Sequence, residues 1–307
     1  MSAPEHALEV TRPGPLSTVQ DLGRPGLASM GVGPSGAADR SALTLANRLV
    51  GNDESAAAIE TTSGGRELLA RSDATVAVTG APCPVEVGGY GASVNTVLRV
   101  RAGTGVRLGT PASGLRSYLA VRGGVAVEPV LGSRSTDALS GLGPGPLAVG
   151  TPVPVGAAPG SVPTVEVAPV PLPSSGEVPL RAVPGPRQDW FTDAALKALV
   201  TEAYEVTTAS DRIGMRLSGP VLERATDREL PSEGMVAGAV QVPPPNSRPP
   251  RHREVLGDRD RDIRGRRSCR PVASGAAGSF PSRLISDSRR GARRIRRLRR
   301  DGPTVRG

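Results

Sequence analysis

The residues best suited to chemistry sit in two short stretches near the N-terminus. Thr18-Val-Gln-Asp-Leu-Gly-Arg-Pro-Gly26 carries Gln20, Asp21 and Arg24, and Gly33-Pro-Ser-Gly-Ala-Ala-Asp-Arg40 carries Ser35, Asp39 and Arg40. Two arginines beside a glycine-rich turn and a helix start suit a carboxylate or phosphate. A guanidinium forks onto two oxygens, while turn N–H groups and the Ser35 hydroxyl add donors. A second reading fits the same residues, with Arg24 and Arg40 paired to Asp21 and Asp39 and merely holding the loop. Gly31-Val-Gly-Pro-Ser-Gly36 also has the spacing of a dinucleotide-binding loop. Its context argues against that use, because turn residues rather than a buried strand precede it and Pro34 removes a backbone donor. Gly132-Ser-Arg-Ser-Thr136 sets Arg134 and Ser135 among hydroxyls, either as an anion cradle or as ordinary turn chemistry. Farther on, Ser210-Asp-Arg-Ile-Gly214 and Ser232-Glu-Gly234 bring acids, Glu233 among them, to predicted strand ends.

The remaining composition narrows what these groups can do. Cys83, Cys269, His6 and His252 are isolated, which leaves no disulfide framework, no metal-ligand spacing and no catalytic His or Cys–His pair. No metal is therefore expected. Lys197 is the only lysine, so a cationic group in a site would be arginine. No segment approaches the ~20 consecutive apolar residues of a membrane-spanning helix, and the N-terminus lacks a basic-then-apolar leader. The expectation is a cytoplasmic protein with no membrane partner.

The elements that must position these residues are mainly strands. Ala42, Leu45, Ala46 and Leu49 form one apolar stripe, predicting a helix over 38–50 that stops at Gly51. Strands are predicted at 8–11, 75–79, 84–87, 97–101, 105–108 and 117–122, each bounded by Gly, Pro or Asn. Closely spaced short strands suggest a barrel or sandwich. Residues 143–178 lack a sustained period and read as an edge strand plus linker. A second unit follows, with a helix near 192–204 capped by Thr192 and strands at 204–207, 213–217 and 237–242. Leu180-Arg-Ala-Val-Pro-Gly-Pro186 echoes Leu8-Glu-Val-Thr-Arg-Pro-Gly-Pro15, which allows a repeated domain.

The first two motifs, together with Ala46-Asn-Arg-Leu-Val-Gly-Asn52, Arg116-Ser-Tyr-Leu-Ala-Val-Arg-Gly-Gly124, Leu131-Gly-Ser-Arg-Ser-Thr136, Ser210-Asp-Arg-Ile-Gly-Met-Arg-Leu217 and Ser232-Glu-Gly ending in Gln241-Val-Pro-Pro244, occur in that order. Together they resemble the biotin-dependent carboxyltransferase family, which includes allophanate hydrolase subunit 2, KipA and the C subunit of the ATP-dependent 5-oxoprolinase. The resemblance covers residues 8–244. It implies a mainly β protein with a few helices, built as two cyclophilin-like β-barrel domains, the second incomplete. The domains would be 1–150 and 179–244, joined by a linker over 151–178.

The resemblance also implies a heteromeric complex acting on a small amide or urea-type substrate. Its partners would be a KipI-like protein, the B subunit of 5-oxoprolinase, and the A subunit of the same enzyme. ATP would be used by the complex. Biotin would arrive on another chain, since no Met-Lys-Met site is present. A KipA-like regulator that binds a KipI-type inhibitor is the alternative. By motif position, Asp21, Asp39 and Glu233 would orient or polarise a substrate nitrogen. Gln20, Arg24, Ser35, Arg40, Arg134, Ser135 and Gln241 would bind substrate or carboxybiotin oxygens.

Near Pro245 the chain changes character. Residues 1–244 hold 19 Lys and Arg against 23 Asp and Glu, whereas 245–307 hold 19 Arg against 6 acids. Relatives continue there with a Gly-Gly-Tyr-Pro motif and closing strands. Three accounts fit the Arg-rich segment: an out-of-frame ending, a native basic extension, or a divergent shortened member. The segment lacks the interleaved aromatics of a single-strand binder, which disfavours nucleic acid as a partner. Its low apolar content predicts disorder over 245–307.

Overall fold

Alternating segments between glycine turns become two antiparallel sheets in the first of two compact units, Met1–Pro173. The computed structural model describes residues 6–160, 163–171, 177–212, 214–228 and 238–242, and the backbone of three short strands beyond them. In chain order the first unit comprises β1 (His6–Pro13), β2 (Leu16–Gln20), α1 (Arg40–Val50), β3 (Ala58–Thr62), β4 (Arg66–Ala70) and β5 (Ala74–Gly80). There follow β6 (Val85–Val87), β7 (Tyr90–Ala92), β8 (Val97–Val100), β9 (Gly105–Leu108), β10 (Arg116–Val121) and β11 (Pro152–Pro154). One sheet runs β11-β1-β4-β9-β6-β7 and the other β2-β3-β10-β5-β8. The architecture is mainly β, as the sequence predicts, but these ladders are open rather than closed barrels.

Alternation decides what each face meets. Leu8, Val10, Leu68, Val106 and Leu108 of the six-stranded sheet share one core with Val19, Ile59, Val76, Val78, Leu119 and Val121 of the five-stranded sheet. At roughly 25 cal/mol per Å² of buried apolar area, this interior is the main force holding the sheets together. The opposite face of the five-stranded sheet presents Ala58, Ala77, Tyr118 and Ala120, and α1 covers it with Ala42, Leu43, Ala46, Leu49 and Val50. The helix starts where Asp39 accepts from the Ala42 N–H at 2.8 Å and ends at Gly51 in the left-handed region.

Residues 152–155 and Val167, within the segment expected to be a linker, pair with this unit. β11 pairs with β1, and single bridges join Val125 to Val155 and Thr96 to Val167. β11 is the edge strand read within 143–178, and backbone pairing along an open edge needs no sustained apolar period.

The second unit, Ser174–Gly307, contains β12 (Arg181–Ala182), α2 (Asp193–Thr201), β13 (Tyr204–Val206), β14 (Gly214–Ser218) and β15 (Val240–Gln241). β16 (Arg253–Leu256), β17 (Arg294–Ile295) and β18 (Arg299–Arg300) follow. Five strands run β15-β16-β14-β13-β17, and β12 pairs in parallel with β18. Its core is small, with Leu180, Ala182, Tyr204 and Leu217 buried. Three of these strands, β16, β17 and β18, fall in segment 245–307, whose other residues lie outside the described ones.

Candidate functional site

At Gln20 the chain leaves the five-stranded sheet, and the side chains that follow bind the loop after β10. The Asp21 carboxylate accepts from the Gly23 N–H at 2.7 Å, the Ser133 hydroxyl at 2.6 Å, the Arg134 N–H at 2.6 Å and the Ser135 hydroxyl at 2.5 Å. Four donors on one carboxylate make a charge-assisted clasp. Gly23 has φ +83°, and a Cβ there would lie 2.3 Å from the Pro34 carbonyl oxygen, so the loop requires glycine.

Arg24 is buried and spreads its fork across three segments. Nε donates to the Val130 carbonyl at 3.2 Å, one terminal nitrogen to the Ser35 hydroxyl at 2.7 Å and the other to the Ser135 carbonyl at 2.7 Å. Ser35, itself at φ 53°, donates to Asp137 at 2.6 Å. Burial pushes the Asp137 carboxyl up, but hydrogen bonds from Ser35, Ser140 and Leu139 outweigh it and hold its pKa below the usual value.

Beside this clasp lies a second buried network under the start of α1. The Tyr118 hydroxyl accepts from the Asp39 N–H at 2.7 Å and donates to Glu60 at 2.8 Å. Glu60 also accepts from the Ala38 N–H at 3.1 Å and pairs with Arg116 at 3.2 Å. Burial, then the Asp39 charge, pushes the Tyr118 phenol far up, so it stays a neutral donor. Arg40 reaches back to the Leu22 carbonyl at 2.6 Å.

The structure therefore brings Gln20, Asp21, Arg24, Ser35, Arg134 and Ser135 into one cluster, with Asp39 and Arg40 adjoining it. Arg134 contributes its N–H to Asp21, while its Nε donates to the Val127 carbonyl at 2.7 Å. Gln241 is exposed on β15 in the second unit, and Glu233 lies outside the described residues. Ser133, Asp137, Glu60, Arg116 and Tyr118 were not singled out from sequence. Ser133, Arg116 and Tyr118 lie within motifs that carry the resemblance, and Tyr118 is an aromatic in a chain with only six.

Two buried polar atoms of the cluster, an acceptor and a hydroxyl, stand unpaired. Gln20 Nε2 donates to Thr18 at 3.0 Å and to the Thr136 carbonyl at 3.1 Å, whereas Gln20 Oε1 and Thr136 Oγ1 are buried without a hydrogen-bond partner among the described residues. An amide oxygen accepts from an amide or urea N–H, and a hydroxyl donates to a carbonyl. Phosphate fits less well. Each nitrogen of Arg24 is already committed, and the Asp137 carboxylate faces the glycine loop, with Oδ2 3.9 Å from where a Gly33 side chain would begin.

The carboxyltransferase domain family, subdomains A and B, matches residues 30–249. The chain belongs to that family. The C subunit of 5-oxoprolinase from Escherichia coli (strain K12) is 39% identical over 239 residues, covering 77% of this chain and 76% of that relative. Urea amidolyase of Lachancea kluyveri is 33% identical over 232 residues, which is 70% of this chain but 13% of the amidolyase. Among solved structures, that of TTHA0988 superposes with a TM-score of 0.74 at 30% identity, covering 96% of this chain and 56% of that one. The urea amidolyase of K. lactis gives 0.72 at 26% identity, over 84% of this chain and 17% of the amidolyase. This carboxyltransferase-family chain thus spans about half of the first solved relative and under a fifth of the second.

Proposed function

We propose that the chain is the C-type component of a 5-oxoprolinase complex, working with partner subunits on a small cyclic amide while ATP is consumed by the complex. The observation that carries this reading is the correspondence over about three quarters of both chains with the Escherichia coli relative, where the amidolyases match only as parts of much longer proteins. The site is compatible with it. Gln20 Oε1 offers an acceptor to an amide N–H, the Thr136 hydroxyl a donor to a carbonyl, and Asp21 and Arg24 hold the loops around them. ATP and any biotin would be bound by other chains.

Reconstitution tests the proposal. With the other two 5-oxoprolinase components supplied, 5-oxoproline-dependent ATP hydrolysis and glutamate release should require this chain. Equal turnover with and without it would refute the reading, and carboxylation of urea with no opening of 5-oxoproline would move the chain to the carboxyltransferase branch.

A further inference from the structure

One buried charge in the first unit has no role in the cluster around Asp21. Arg66 stands on β4 in step with Leu68 and Ala70, whose side chains enter the core between the sheets, and it is fully buried. Nε donates to the Ser17 hydroxyl at 3.0 Å. Both terminal nitrogens lack a hydrogen-bond partner among the described residues. Burial lowers its pKa to about 9, with no neighbouring charge contributing, so the guanidinium remains protonated at neutral pH.

The facing sheet meets this charge with hydroxyls. Ser17, Thr61 and Ser117 are paired neighbours across β2, β3 and β10, all buried, on the same side as Val19, Ile59 and Leu119. Ser17 gives its proton to the Pro13 carbonyl at 2.6 Å, and Thr61 Oγ1 lies 3.4 Å from Ser17 Oγ. Ser117 donates to the Ala81 carbonyl at 3.0 Å and lies 3.6 Å from Cys83 Sγ. Burial pushes the Cys83 thiol up, so it supplies no counter-charge.

Water could satisfy the free N–H groups but would leave a net positive charge in the interior, which is strongly disfavoured. A small anion answers both deficits. The turns beside Arg66 are closely packed, since a Cβ on Gly14 would lie 2.4 Å from the Gly64 oxygen and one on Gly64 2.0 Å from the Gly109 oxygen. We propose that Arg66, with the Thr61 hydroxyl beside it, encloses one small inorganic monoanion, of halide or bicarbonate size, between the two sheets. The site is separate from the Asp21 cluster and independent of the proposed reaction.

The test is thermal unfolding of the full chain at constant ionic strength, starting from gluconate buffer and titrating chloride, bromide, bicarbonate or sulfate. The unfolding temperature should rise saturably with the halides or with bicarbonate and stay flat with sulfate; the steeper response identifies the anion. Arg66→Met should abolish the response. Thr61→Val, a milder change, should weaken apparent affinity about tenfold, as expected for one lost hydrogen bond. Crystals of the wild-type chain grown in bromide should show anomalous density within hydrogen-bonding distance of the Arg66 terminal nitrogens, a readout that requires no variant to fold. An unfolding temperature indifferent to these anions, an unchanged response in Thr61→Val, or water alone beside Arg66 in those crystals would each overturn the proposal.

Discussion

Replacing Arg24 with alanine separates a side chain that grips substrate from one that grips its own fold. The wild-type fork makes three hydrogen bonds from a charged group. Their loss is unequal. The Val130 carbonyl still accepts from the Ser133 N–H at 3.2 Å and Ser35 still donates to Asp137, but the Ser135 carbonyl loses the guanidinium that held it. An orphaned buried carbonyl costs about 1–3 kcal/mol and charged hydrogen bonds contribute about 1.5–3 each, while removing the buried charge returns part of the sum. With the space left by the missing stem, the net expectation is about 3–4 kcal/mol of lost stability. In a unit of this size that lowers the unfolding temperature by roughly 10 °C. Urea unfolding followed by circular dichroism measures it, with Arg48→Ala as control. Arg48 pairs with Glu54 on the surface and should change stability by under about 0.5 kcal/mol. If Arg24→Ala unfolds within about 1 kcal/mol of the wild type yet is inactive in the reconstituted complex, the internal role is refuted and the arginine binds substrate.

Tyr118→Phe should cost about 2–3 kcal/mol, because the Asp39 N–H loses its acceptor and Glu60 loses a donor in a buried network; a lower urea midpoint at unchanged slope is the expected signature. Asp137, whose pKa is held low in the folded state, contributes stability above its unfolded value of about 3.9 that disappears as pH falls through the folded pKa. Asp137→Asn should therefore flatten the stability profile below about pH 4, and an acid limb as steep as the wild type's would contradict the assigned hydrogen bonds.

The sequence revealed elements that carry a regular apolar pattern. α1 was legible from its stripe and Gly51, and β5, β8, β9 and β10 from alternation. β2, β3 and β4 were not. Ser17, Thr18, Gln20, Glu60, Thr61 and Arg66 are buried polar residues whose partners lie across the sheet or in distant loops, so no local apolar pattern marks them. The same reason hid half of the site. Gln20, Asp21 and Arg24 were visible as chemical types beside glycines, but that Arg24 spends its fork on Val130, Ser35 and Ser135 depends on contacts up to 111 residues away.

Those distances bear on the order in which the unit assembles. Ser133 and Ser135 reach Asp21 across 112 and 114 residues, and all five strands of its sheet are complete by Val121. Closing so long a loop before the strands have paired gains a few hydrogen bonds against the full entropy of closure, whereas closing it over a finished sheet costs little more. The clasp is therefore a late fastening. A nascent chain that stops short of Ser133 already carries every strand of the sheet, but its Asp21 carboxylate still waits for the hydroxyls that bind it.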